Sequence, residues 1–195
     1  MCVDIYRGLQ KHLDTLPIGY PQTESGVEIR LLKHLFTPQE AEVACRLSYG
    51  SQTLHNIHKK LENSEITLED LEQILDSMYY KGTIDRQLKN GIKTYSNMML
   101  VLGIWESRVN RLTKDFIEDL QQYVREAFDE DLNSGKVPTF RTVPVQKSIP
   151  VDLKVASYDR IRDLVNGSGD CIAVADCVCR QAMDVIGESC HATDL

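Results

Sequence analysis

The stretch from Thr67 to Gly82, TLEDLEQILDSMYYKG, leaves the chain little choice of local structure. Leu68, Leu71, Ile74, Leu75 and Met78 recur at the spacing of one helix face. Thr67 stands where an N-cap belongs, with a hydroxyl able to accept from a first-turn amide, and Gly82 suits the left-handed residue that closes a helix. Immediately after comes TIDRQLKNGIKTYSN, two strand-like runs around Asn90-Gly91, the dipeptide favoured in a two-residue hairpin turn. A capped helix running into a tight hairpin is a strong constraint on what can precede it.

What precedes it is helical. Residues 4–15 place Ile5, Leu9, Leu13 and Leu16 on one face, and a second helix over 22–36 buries Val27, Ile29, Leu31, Leu32 and Leu35. TPQE opens a third, with Thr37 as N-cap, Pro38 at the first helical position and Glu40 closing a capping box. Ala41, Ala44, Cys45 and Leu47 form its apolar stripe. A helix over 51–62 follows, with Leu54, Ile57, His58 and Leu61 at helical spacing. Three helices followed by a two-stranded hairpin outline a winged helix-turn-helix. One long helix is expected over 99–130, carrying the only tryptophan, Trp105, and breaking at NSGKVP.

From Pro138 the texture changes. FRTVPVQKSIP is extended and proline-punctuated, as a linker or edge strand would be. LKVAS reads as a strand, Ser157 as the cap of a helix YDRIRDLVNG, and CIAVADCVC as a further strand. A short helix over 181–186 then ends at Gly187. The expected fold class is α+β: a winged helix-turn-helix module over 1–98, a connecting helix over 99–137, and a small α/β cysteine-bearing segment over 138–195.

Four of the six cysteines lie in that last segment. On a strand, side chains alternate faces, so Cys171, Cys177 and Cys179 share one face with Ala173 and Ala175. Cys177 and Cys179 form a Cys-x-Cys pair, and Cys190 can return to them after the turn at Gly187. Cys171 lies about 20 Å along an extended strand from Cys177, too far to share a ligand without a bend. The spacing matches neither the ferredoxin run nor the paired CxxC of structural zinc sites. Three readings stay open: thiolate ligands to an iron–sulfur centre, ligands to zinc, or small buried core residues, as Cys2 and Cys45 are expected to be. Arg180 and Gln181 directly follow the pair, and a guanidinium and amide groups there would favour thiolate. Pairing of Arg180 with Asp176 or Asp184 is the plain alternative, and His191 reads as solvated.

Charge and composition narrow the function classes. With a net charge of −7, the chain is poorly suited to gripping phosphate backbones. The outward positions of the 67–80 helix, which would enter the major groove in a helix-turn-helix, are Glu69, Asp70, Glu72, Gln73, Asp76 and Ser77. That face carries four acids and no base, which argues against nucleic acid. Arg86, Lys89 and Lys93 on the hairpin and HKK at 58–60 supply some positive charge, of the kind that also blocks edge-to-edge aggregation. No apolar run approaches the roughly 18 residues of a membrane span, and the start, MCVDIYRGLQKHLDTL, lacks a secretory apolar core. A cytoplasmic chain with reduced thiols and no membrane contact is expected. Sequence signatures of hydrolases, phosphate-binding loops and HExxH metalloproteases are absent. His55 and His58 could chelate across a helical turn, but no acidic third ligand accompanies them. The chain does not read as an enzyme, although it could serve as a redox-enzyme accessory component.

Three stretches, IRLLKHLFTPQEAEVACRLS, IPVDLKVASYDRIRDLV and above all IAVADCVCRQAMDVIGESC, resemble the N-terminal part of a group of anaerobic bacterial ferredoxin-type proteins that bind a 4Fe-4S cluster. The resemblance spans essentially the whole chain. It implies an electron-transfer-type protein with Cys177, Cys179 and Cys190 as cluster ligands and Arg180 as a neighbouring charge. It also implies a longer polypeptide, with a fourth cysteine soon after Cys190 and a C-terminal ferredoxin-type domain; that domain or a separate redox protein would be the partner. The alternatives are a redox- or metal-responsive winged-helix regulator and a zinc-stabilised interaction module.

Overall fold

The computed structural model describes residues 4–61, 65–128, 158–169 and 172–188. The chain forms two compact units, one of residues 1–139 with 177–195, the other of residues 140–176. The fold is α+β, mostly helical with one small antiparallel sheet.

The first unit opens with α1 (Ile5–Leu13), α2 (Val27–Leu35) and α3 (Pro38–Ala44). Both α1 and α2 are shorter than their apolar periods suggested. Between them PIGYPQTESG cannot continue a helix, since Pro21 lacks a donor and Gly26 takes φ 72° at the N-cap of α2. The capping box at α3 forms as expected: the Thr37 hydroxyl accepts from the Glu40 amide at 3.3 Å, and the Glu40 carboxylate accepts from the Thr37 amide at 2.8 Å. Two orphan donors are thereby satisfied, a stabilisation of about 1 kcal/mol.

Residues 51–62, expected to be one helix, divide into β1 (Gln52–Thr53) and α4 (Leu54–Lys59), because Thr53 caps the helix from an extended conformation. Next, α5 (Leu68–Lys81) begins at the Thr67 cap and ends at Gly82 with φ 74°. Leu71, Leu75 and Met78 are fully buried along it, whereas Leu68 at its first turn is 41% exposed and lies outside the core. The hairpin is β2 (Ile84–Lys89) and β3 (Ile92–Asn97), with Lys89 paired to Ile92 across Asn90 and Gly91, both at positive φ. Gln52 of β1 pairs with Tyr95 of β3, so the strand order is β1-β3-β2 and the hairpin is fastened to the helices. Asn97 completes the seam: its buried amide donates to the carbonyls of Ala44 and Leu47, the open end of α3.

The single helix expected over 99–130 is not formed. A π-helical turn at Leu100–Ile104 passes into a 3₁₀ turn at Glu106–Arg108, and the chain then reverses through Asn110, whose φ is 61°. Thr113 caps α6 (Lys114–Tyr123), which continues as a π-helical stretch Val124–Phe128. The cause is local: Thr113 prefers to accept the Phe116 amide, and Asn is among the few residues that settle in the left-handed region. Phe116, Ile117, Leu120 and Tyr123 bury one face of α6, with Tyr123 against Tyr20 at 4.9 Å.

The second unit contains α7 (Tyr158–Gly167), where the helix YDRIRDLVNG was expected. The expected strand LKVAS and the expected linker or edge strand FRTVPVQKSIP, together with Ser157, Cys171, Cys190 and His191, lie outside the described residues. The strand expected at CIAVADCVC does not form. Residues 172–177 have no regular structure, and α8 (Val178–Val185) begins three residues earlier than the helix expected over 181–186. Valine and cysteine alternate here as they would on a strand. The same residues serve as an amphipathic helix start, and burial of Val178 and Ala182 at i, i+4 decides between the two.

Candidate functional site: a thiol pair at a helix start

Cys177 is the N-cap of α8 and Cys179 lies in its first turn. Both thiols are exposed and free. The expected common face of a strand is replaced: Cys177 caps the helix from an extended conformation, and the Cys179 side chain still acts on its thiol. The Cys177 thiol is held below its ordinary value, first by the Arg180 amide and then by the Cys179 amide, with the Arg180 charge and a hydrogen bond from the Cys179 side chain adding to them. Cys177 makes no side-chain capping hydrogen bond, so these first-turn amides act on the thiol as nearby dipoles that favour thiolate. Cys45, by contrast, sits half-buried behind α3, where burial pushes its thiol up.

Arg180 is exposed beside the pair, where its charge acts on Cys177. Gln181 does something the sequence did not announce. Its Nε2 donates to Asn110 Oδ1 at 2.6 Å, and its Oε1 accepts from the Asn110 amide at 2.8 Å. Its carboxamide is therefore committed to the 109–112 loop. On the inner side, Cys179, Ala182 and Met183 line an open apolar groove whose other wall is Trp105, Leu120 and Val124, with Arg125 at its rim.

The donors can be matched against the groups that the sequence suggested. Two adjacent thiols at a positively polarised helix start suit soft, thiolate-liking metal centres. They supply half of the four ligands that an iron–sulfur cluster takes. Among the described residues no group of three His, Cys, Asp or Glu side chains converges to hold a metal ion, and Cys190 lies outside those residues. His58 Nε2 bonds the Ile66 carbonyl at 3.0 Å.

The other site weighed from the sequence, a nucleic-acid face on α5 and the hairpin, loses most of its positive charge. Lys93 binds Glu72 and Asp76, each at 2.8 Å, and Arg86 binds Asp76 at 2.9 Å with its guanidinium 4.0 Å over the Tyr79 ring. Tyr95 Oη donates to Asp76 at 2.9 Å. Two of the three hairpin bases are thus paired to the acids of α5, and Lys60 donates to the Arg46 carbonyl. No described helix is long and apolar enough to cross a membrane. Comparison with protein-family models, curated protein sequences and solved structures finds no match to this chain.

Proposed function

We propose that this chain is an iron–sulfur protein of the electron-transfer type, with Cys177 and Cys179 as thiolate ligands to a 4Fe-4S cluster and Cys190 as a third. One observation carries the reading: two exposed thiols stand at the start of α8, Cys177 as its N-cap and Cys179 in its first turn, and the surroundings of Cys177 favour its thiolate form. When bound, such a cluster supplies one-electron redox chemistry. The residues of this chain bind and tune. Cys177 and Cys179 donate sulfur, the amides of Cys179 and Arg180 offset negative charge, and the apolar wall of the groove beside Cys179 limits water on that side. The electron partner is a redox protein or a ferredoxin-type domain of the kind the resemblance implies.

We take the helix, strand, two helices and hairpin of residues 38–97 to be a winged-helix-like module, a reading supported by their order along the chain. We read this module as a protein-docking scaffold, because the acids of α5 would meet DNA phosphates and the hairpin bases are already paired.

The test is anaerobic purification or reconstitution with iron and sulfide, followed by visible spectroscopy and metal analysis. Wild type and Cys45→Ser are expected to hold iron and sulfide, and Cys177→Ser and Cys179→Ser to lose them. A colourless, iron-free protein that retains zinc would overturn the reading in favour of a zinc-stabilised module. Binding of random duplex at low salt would instead favour the regulator.

A further inference from the structure

The thiol-bearing turn touches the rest of its unit at few points, and one of them is unusual. Val178 and Ala182 are buried, each 7% exposed, which fixes the face that α8 presents. Apolar contact of two small side chains permits sliding and rotation, since it is not directional. Direction comes from Gln181, which exchanges two hydrogen bonds with Asn110, 71 positions away in sequence. Both groups of the carboxamide are used, so a shift of α8 along or around its axis breaks at least one bond. Asn110 accepts with its side chain and donates with its backbone from a left-handed conformation, φ 61°. That conformation aims amide and side chain at the same partner, and few residues other than Asn, Asp and Gly adopt it at low cost.

We infer that Asn110 and Gln181 are positioning residues for the Cys177–Cys179 site: a reciprocal amide clamp that sets where α8 holds its thiols, with Cys179 lining the groove of Trp105. This rests on the thiolate reading above. Gln181 lies in the helical turn that bears both cysteines, so its bonds govern the same rigid element. A guanidinium at 180 can act on Cys177 only while that turn stays in place.

The chemistry of the clamp makes its test specific. Asn110 uses only Oδ1 and its backbone amide, so Asn110→Asp retains both bonds and tolerates the same φ. Gln181→Ala removes both, and Asn110→Ala removes the acceptor and strains the turn. The full chain, reconstituted anaerobically with iron and sulfide, is followed by hydrogen exchange of the α8 amides and by the electron paramagnetic resonance of the reduced cluster. Asn110→Ala is expected to speed α8 exchange at least roughly fivefold, the effect of one lost hydrogen bond, and Gln181→Ala, which loses two, roughly twenty-five-fold, both without speeding α2 or α5, and both are expected to shift the cluster g-values. Asn110→Asp is expected to keep wild-type exchange. Unchanged α8 exchange in both alanine variants overturns the inference even where a cluster forms, as does a loss in Asn110→Asp equal to that in Asn110→Ala. A wild type that takes up no cluster overturns the reading it rests on, while faster exchange in the alanine variants would still uphold the clamp.

Discussion

Gly82 shows how much one residue can decide. It ends α5 at φ 74°, and a Cβ built there would stand 2.5 Å from Ser107 Cβ and 3.0 Å from the Ser107 carbonyl. Gly26 has nearly the same φ, 72°, with nothing within 4 Å. The two positions separate backbone conformation from crowding. Gly26→Ala is expected to cost about 1 kcal/mol for the left-handed backbone alone. Gly82→Ala is expected to cost ~3 kcal/mol, since overpacking adds to that term and one of the close atoms belongs to the backbone. Urea denaturation of both variants checks this, and equal losses would show that Ser107 yields freely.

Between elements, Asp76 joins α5 to the hairpin by bonds to Lys93, Arg86 and Tyr95. Burial works to raise its carboxyl pKa, but the bonds from Lys93, Arg86 and Tyr95 together outweigh it and hold the group below the usual range. A carboxyl depressed in the folded state adds stability that is fully present above its unfolded value of about 3.9 and disappears as pH falls through the folded value. Asp76→Asn is therefore expected to lower stability at neutral pH and to flatten the acid limb of the stability curve below about pH 4. Urea midpoints from neutral pH down to acid are the measurement, and an acid limb as steep as wild type would count against Asp76 as the linking group. The same bonds hold Arg86 and Lys93 in their charged forms, with pKa values raised above the ordinary ones.

Across the whole molecule the cysteines fall into different environments. Cys45 is half-buried and pushed toward the neutral thiol, whereas Cys177 is exposed and drawn toward thiolate. In the metal-free protein at neutral pH, iodoacetamide is expected to modify Cys177 well before Cys45, by roughly tenfold or more. Peptide mass spectrometry over time resolves the two, and comparable rates would remove the electrostatic basis for assigning ligand character to Cys177. The distinction matters for function because a thiol that ionises readily is also one that releases its proton readily to a metal.

Much of the helical unit was legible in the residues themselves. Thr37 with Glu40, Thr67 and Gly82 at the two ends of α5, and Asn90 with Gly91 each state a local geometry within a turn of chain, and local geometry needs no partner from elsewhere. The Cys-x-Cys pair was legible as a candidate for the same reason. What the tertiary structure decided was everything in which two local answers were nearly equal. Residues 172–179 alternate well enough for a strand, yet burial of Val178 and Ala182 makes a helix of their C-terminal part. The 99–130 stretch has the period of one helix, yet the left-handed Asn110 and the Thr113 cap break it, and only the packed fold brings Gln181, 71 residues on, to both the amide and the side chain of Asn110. The charge on the hairpin was readable, but its neutralisation by Asp76 and Glu72 required the two elements to be packed together. Spacing along the chain determines which bonds a residue could make; only the packed fold determines which of those it keeps, since a distant partner costs chain entropy that the whole core must offset.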